Sequence, residues 1–238
     1  MKLKDILTPS FKDCTAGSSK EHQHTSIAEQ CLSADTDFCR ETVAQGLLTE
    51  AQMAHAAQRY RLGSSKSGKC IFWMMDELGR LRDGRLDGKW VSAMLKARES
   101  ELQKRWYTEH CLFGLHLLAE SDQYQPVAII ESEPSAVILS ELFPEQLWLA
   151  TMYPVNFTID RFAPLCGRTV TLFPRADLTA TDYTAWLEIA DQARRRYHLD
   201  ISVSTVLEDN TTQEQKLQQV DLVGYLFDQP QENSLTYS

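Results

Sequence analysis

Gln125-Pro126-Val127-Ala128-Ile129-Ile130-Glu131-Ser132-Glu133 is an apolar run that closes on two carboxylates, and a helical pattern over Pro134–Leu142 follows it. Arg168-Thr169-Val170-Thr171-Leu172-Phe173-Pro174-Arg175-Ala176-Asp177 repeats the scheme, ends again in an acid, and leads to a long helical pattern over Asp182–Tyr197. Short apolar runs bounded by turn residues read as buried strands. Strands that alternate with helices predict an α/β fold whose mainly parallel sheet is flanked by helices on both faces. Leu147–Ala150 and Ile201–Val206 supply two more strands, and a short acidic helix is expected over Thr212–Phe227. Pro134 suits a first helical turn, where its missing N–H costs nothing.

Upstream of this unit the pattern changes. Thr49-Glu50-Ala51-Gln52 reads as a capping box for a helix that runs to Tyr60 and is closed by Gly63. Lys69–Asp76, a turn at Glu77-Leu78-Gly79, and Arg80–Leu86 predict a β-hairpin. Trp90–Tyr107 is helical or mixed and strongly charged, and His110–Leu118 is an apolar lead-in to the next unit. Ser, Thr, Lys, Glu and His dominate Thr15–Thr25 with no period, so the N-terminus reads as flexible. The organisation expected is a flexible segment over 1–45, a small helix and β-hairpin region over 46–109, an α/β domain over 110–227, and a tail over 228–238.

Composition bounds the rest. The chain has 238 residues, 43% hydrophobic and 24% charged, which is ordinary for a globular protein with a real core. A formal net charge of −9 gives no global electrostatic footprint for nucleic acid, although a local basic face is compatible with it. No stretch approaches the roughly 18 consecutive apolar residues of a membrane span, and Met1–Leu7 lacks the apolar region of a secretory signal. Six cysteines include no C-x-x-C pair, which argues against a zinc ribbon and for a cytoplasmic protein. His22, His24, Cys31 and Cys39 match no standard metal spacing, and a flexible tail explains them more simply.

Three constellations could carry chemistry. On a strand, Glu131 and Glu133 share a face, and a hard cation such as Mg²⁺ takes oxygen ligands of this kind. The plainer account has Glu133 favouring a helix dipole while Glu131 pairs with a basic residue. Asp177 can approach Glu131 where strands are neighbours, because ligands in open α/β sheets gather beyond the carboxyl ends of the strands. A loop or helix-capping aspartate is its common alternative. Arg80, Arg82, Arg85 and Lys89 lie on one short strand and turn near Trp73 and Trp90, as a phosphate-tracking surface would require. Interleaved Asp83 and Asp87 fit a solvated mixed-charge face instead.

Ile130-Glu131-Ser132-Glu133-Pro134 through Ser140 resembles the glutamate motif of Toprim domains, the catalytic fold of primases and topoisomerases. Thr169–Asp177 resembles the second Toprim motif, an apolar strand followed by Asp-x-Asp. Tyr60–Gly63, Cys70–Asp76, Arg82–Arg85 and His110–Gly114 resemble uncharacterised primase-related Toprim-like proteins of mobile elements. The resemblance implies a cytoplasmic, DNA-associated protein, with Glu131 as the acid or base of phosphoryl or nucleotidyl transfer and Glu131, Glu133 and Asp177 on Mg²⁺. It also implies Lys where Pro134 stands, Gly-Gly where Met152-Tyr153 stands, and Asp where Arg175 stands. Arg175 puts a positive charge where a metal needs a negative one. At ~4 Å and an effective dielectric near ~20, one unit charge is worth about 4 kcal/mol. The resemblance thus implies either a primase-related protein with a degenerate Mg²⁺ site, a non-catalytic nucleic-acid-binding or protein-interaction module, or a metal-dependent nuclease.

Overall fold

A computed structural model describes residues 32–94, 110–152 and 158–228. Two four-stranded sheets organise them. The first is antiparallel, in the order β1 (Gly63–Ser64), β2 (Cys70–Met75), β3 (Leu81–Leu86), β4 (Lys89–Trp90). The second contains β5 (Val127–Ile130), β6 (Leu147–Ala150), β7 (Thr169–Leu172) and β8 (Asp200–Val203), in the order β6-β5-β7-β8. All its neighbouring strands run parallel. The α/β expectation and the hairpin ahead of it therefore hold.

Helices frame the sheets: α1 (Asp37–Ala44), α2 (Glu50–Arg59), α3 (Val91–Met94), α4 (Glu133–Leu142), α5 (Thr181–Tyr197), α6 (Val206–Asn210), α7 (Gln213–Leu217) and α8 (Leu222–Phe227). Two 3₁₀ segments cover Leu115–Ala119 and Ile159–Leu165. β5 is central, and all four of its residues are buried, as a parallel strand covered on both faces requires. α4 packs against α2, and α5 packs along β8 and the Ile159–Leu165 segment. Among the described residues no helix is long and apolar enough to cross a membrane.

One tie joins the upstream region to the parallel sheet. Phe113 and Ala150 exchange backbone hydrogen bonds of 2.9 and 3.1 Å, so residue 113 closes the outer end of β6. Tyr60, wholly buried at the end of α2, stacks on Phe113 and donates its hydroxyl to the Trp148 carbonyl at 2.7 Å. One core runs from Met53 and Tyr60 through Met74 to the parallel sheet and α5.

Several local expectations are corrected. The polar N-terminal stretch becomes helical at Asp37, inside the segment read as flexible, because Thr36 caps α1 by accepting from the Cys39 N–H. The rest of that segment, through residue 31, lies outside the described residues, as do 95–109 of the charged 90–107 stretch. The Thr49 capping box forms as expected, but Gly63 does not end α2. Arg61 makes the turn, with φ at 53°, and Gly63 pairs with Ile71 in β1. Thr212–Phe227 is not one helix: α7 has its own capping box at Thr212 and α8 is capped by Asp221.

Gly63 has a packing role instead. Trp73, fully buried in the centre of the antiparallel sheet, lies between Gly63 on β1 and Gly84 on β3. A Cβ at Gly63 would stand 2.4 Å from Trp73 Nε1, and one at Gly84 would stand 2.6 Å from Trp73 Cε3. The indole is locked by its surroundings, so neither collision is relieved by a small shift. Gly84→Ala is expected to destabilise the protein by about 1–3 kcal/mol through overpacking. Urea unfolding checks this, and a variant as stable as the wild type would contradict it.

Candidate functional site

In the order β6-β5-β7-β8 the chain leaves β5 toward β6 on one side and returns to β7 on the other. The crevice beyond the carboxyl ends of β5 and β7 is therefore the switch point at which an open α/β sheet binds ligands. Glu131 follows β5 directly, and Arg175 stands three residues beyond the end of β7. They meet there. Arg175 Nε is 2.7 Å from Glu131 Oε2, and its Nη2 donates to Asp182 Oδ2, in the first turn of α5, at 3.2 Å. The Nε–H is not aimed at the Glu131 carboxylate, so that contact is Coulombic attraction without a directed hydrogen bond. Burial raises the Glu131 pKa, Arg175 opposes the rise, and Asp182, Asp221 and Glu133 add to it.

Glu133 does not share a face with Glu131. β5 ends at Ile130 and Glu133 is the first residue of α4, so the two-residue strand period does not extend to it. Ser132 caps that helix by accepting from the Ser135 N–H. Glu133 is buried and faces the antiparallel sheet, with Arg85 Nε 3.3 Å from its carboxylate. Burial raises its pKa and Arg85 opposes the rise. The two lie on a cleft of about 360 Å³ that also holds the Lys69–Asp37 ion pair, 2.9 Å apart.

Asp177 faces its own loop. Oδ1 accepts from the Thr179 N–H at 2.8 Å, the Thr179 hydroxyl at 2.7 Å and the Thr181 N–H at 3.1 Å, and Oδ2 accepts from the Asp182 N–H at 2.8 Å. Burial pushes its pKa up. The hydrogen bonds, led by the Asp182 N–H and the Thr179 hydroxyl, outweigh burial and hold it at about 2. The chain therefore enters α5 through an aspartate-centred turn that orders Ala180 in the left-handed region, with φ at 52°.

Glu131, Glu133 and Asp177 thus have three different sets of partners: a guanidinium at the crevice, a guanidinium from the hairpin, and backbone donors. Among the described residues no group of three or more His, Cys, Asp or Glu side chains is placed to hold a metal ion. Mg²⁺ requires near-octahedral oxygens and retained waters. These acids, as arranged, do not fit it.

A family comparison covers the antiparallel sheet and three of the four parallel strands, β5, β6 and β7. The family described as Domain of unknown function (DUF6371) matches residues 42–176. The chain belongs to this family. No curated protein matches it. The DUF6371 match takes in the hairpin, Glu131, Glu133 and Arg175, and stops one residue short of Asp177.

Within the DUF6371 region the hairpin cations are distributed unevenly. Asp76, buried at the end of β2, receives Arg80 Nε at 2.7 Å and Arg82 Nε at 2.8 Å on one oxygen, and the Leu78 and Arg80 N–H groups on the other. Burial raises its pKa, but these donors lower it on balance. Arg85 reaches across to the parallel sheet, donating to the Met152 carbonyl at 2.5 Å and to the Gly88 carbonyl at 3.1 Å, with its guanidinium over the Trp90 ring. Lys89 is exposed on β4. The four expected nucleic-acid-binding side chains therefore do not form one outward row.

Sequence reasoning missed three participants. Asp182 was visible only as a residue near a helix start. Asp83 looked like one acid in a mixed surface, yet it is fully buried. It accepts from the Gly84 and Ser92 N–H groups and the Ser92 hydroxyl, and contacts His110 Nε2 at 2.9 Å. The available signal was Asp83 on the inward side of an alternating strand. Met152 gave no sign in the sequence of its backbone role, yet it takes the left-handed region that favours glycine, with φ at 63°. Its carbonyl is held by Arg85 and its N–H donates to the Glu131 carbonyl at 3.0 Å.

The Asp177 turn has a pH signature. A carboxyl lowered from its ordinary 3.8 to about 2 contributes stability that is present above about 3.8 and lost as pH falls toward 2. Asp177→Asn is expected to flatten this acid limb by on the order of 2 kcal/mol. Urea unfolding of both proteins between pH 5 and pH 2 checks it, and parallel curves would contradict it.

Proposed function

We propose that this DUF6371 chain is a primase-related, nucleic-acid-associated protein of a mobile element whose Toprim-like crevice binds without metal-dependent catalysis. The observation that carries the reading is Arg175 between Glu131 and Asp182 at the switch point. A fixed guanidinium there supplies the positive charge that Mg²⁺ would bring, and it repels a second cation. One unit charge at ~4 Å weighs about 4 kcal/mol at an effective dielectric near ~20, so exchanging an acid for Arg175 disfavours Mg²⁺ by several kcal/mol even after screening. The nucleic-acid part of the reading rests on the resemblance of the Glu131, Thr169–Asp177 and hairpin segments to primase-related proteins.

Calorimetric titration with Mg²⁺ and Mn²⁺ tests the crevice. The wild type is expected to bind neither ion in the millimolar range, and Arg175→Asp is expected to bind. Millimolar or tighter binding by the wild type, lost in Glu131→Gln, would restore a phosphoryl-transfer or nuclease reading. For the partner, binding to DNA is expected to fall with rising salt, to survive Glu131→Ala and to weaken in Lys89→Ala. DNA binding absent at low salt would remove the nucleic-acid assignment.

A further inference from the structure

A polar cleft of about 640 Å³ opens where the end of α2 meets the turn after the Leu115–Ala119 segment. Arg59 and Arg61 line it from α2 and the residues that follow, and Glu120 and Asp122 line it from the turn. His55, on the same lining, is already paired with Glu141 at 2.7 Å. Arg61 donates to the Met75 sulfur at 3.7 Å. Among the described residues none of the four other charges, Arg59, Arg61, Glu120 and Asp122, is in an ion pair. The face therefore presents two guanidiniums from one element and two carboxylates from another, with both signs unmatched.

The turn is held from within. Arg168 donates to the Asp122 carbonyl at 2.8 Å and to the Leu118 carbonyl at 3.4 Å. Asp122 Oδ1 accepts from the Tyr124 N–H at 2.7 Å, and the Gln125 N–H donates to the Asp122 carbonyl at 3.1 Å. This ordered loop keeps Tyr124 86% exposed, more than any other large hydrophobic side chain among the described residues. Leu32, also exposed, lies on the cleft itself. A tyrosine held out in water gains nothing within one chain. On a pre-ordered surface it is the residue that protein contacts favour, because it offers a large area and loses little side-chain freedom.

We propose that this face is the contact between two copies of the chain related by a two-fold axis. In such a contact residue i of one copy meets residue j of the other, and j meets i. A surface with cations on one element and anions on its neighbour satisfies that rule with its own copy. Arg59 and Arg61 of one protomer meet the partner's Glu120 and the partner's Asp122, and the same match forms a second time across the axis. Tyr124 of each protomer enters the cleft of the other beside Leu117. A net charge of −9 on each chain opposes association in general, so matched signs at the contact are what select this face. The inference stands apart from the reading of the crevice and uses none of its groups.

Analytical ultracentrifugation of the full chain at low ionic strength tests this. The wild type is expected to sediment as a dimer that loosens as salt is added. Two double variants, Arg59→Glu with Arg61→Glu and Glu120→Lys with Asp122→Lys, each set like charges opposite one another. Each should weaken the dimer by about a hundredfold or more. An equimolar mixture of the two is expected to dimerise again, because the reversed signs match in the mixed pair. Tyr124→Ala should weaken the dimer by about tenfold. Arg195→Glu, exposed on α5 and outside the cleft lining, should leave it unchanged. Thermal unfolding confirms that the variants are folded, and the highly exposed Tyr124 keeps the test open if a double variant unfolds. A monomeric wild type, double variants or Tyr124→Ala that dimerise as tightly as the wild type, or a mixture that stays monomeric would each overturn the proposal.

Discussion

A carboxylate taken out of water needs a cation or several hydrogen-bond donors, and this requirement shapes the whole molecule. Asp76 is met by two arginines of its own hairpin, and Asp83 by backbone donors, a serine and a histidine. Glu133 is met by Arg85 from the other sheet, Glu131 by Arg175, and Asp177 by the N–H groups of its own turn. Each solution also fixes geometry. Arg85 is the clearest case, because one guanidinium joins the Glu133 carboxylate, the Met152 carbonyl and the Gly88 carbonyl, and so sets the hairpin against the carboxyl end of the parallel sheet.

The same requirement bears on chemistry at the crevice. A metal-dependent site keeps its acids without internal cations until the ion arrives, whereas here Arg175 already stands between Glu131 and Asp182. The backbone beside it takes an unusual shape. Met152 takes a left-handed conformation that costs a non-glycine residue roughly 1–2 kcal/mol. The hydrogen bonds at both its N–H and its carbonyl, together with its buried side chain, hold it there. The loop beside β5 is thus fixed at both ends of residue 152, and the acids of the crevice are paired with Arg175.

Local pattern was enough for the elements. The apolar runs at 127–130, 147–150 and 169–172, the alternation in the hairpin, and the Thr49 capping box all specify structure through side chains only a few residues apart. Buried faces have the period of the element that buries them, so the parallel sheet and the hairpin were legible. The places where that reading failed depend on distant partners. Gly63 looked like a helix stop until Trp73 from the next strand was seen to need its space. Glu131 and Glu133 looked like one pair until the chain turned into α4 between them and sent them to arginines 44 and 48 residues away in opposite directions. Asp177 was legible as a candidate acid, but whether its oxygens faced a crevice or its own loop was not. The sequence by itself determined which segments are strands and helices, because periodicity is local. Only the tertiary structure decided which charge meets which, because ion pairs are chosen by the convergence of separate segments in space and by how far each is withdrawn from water.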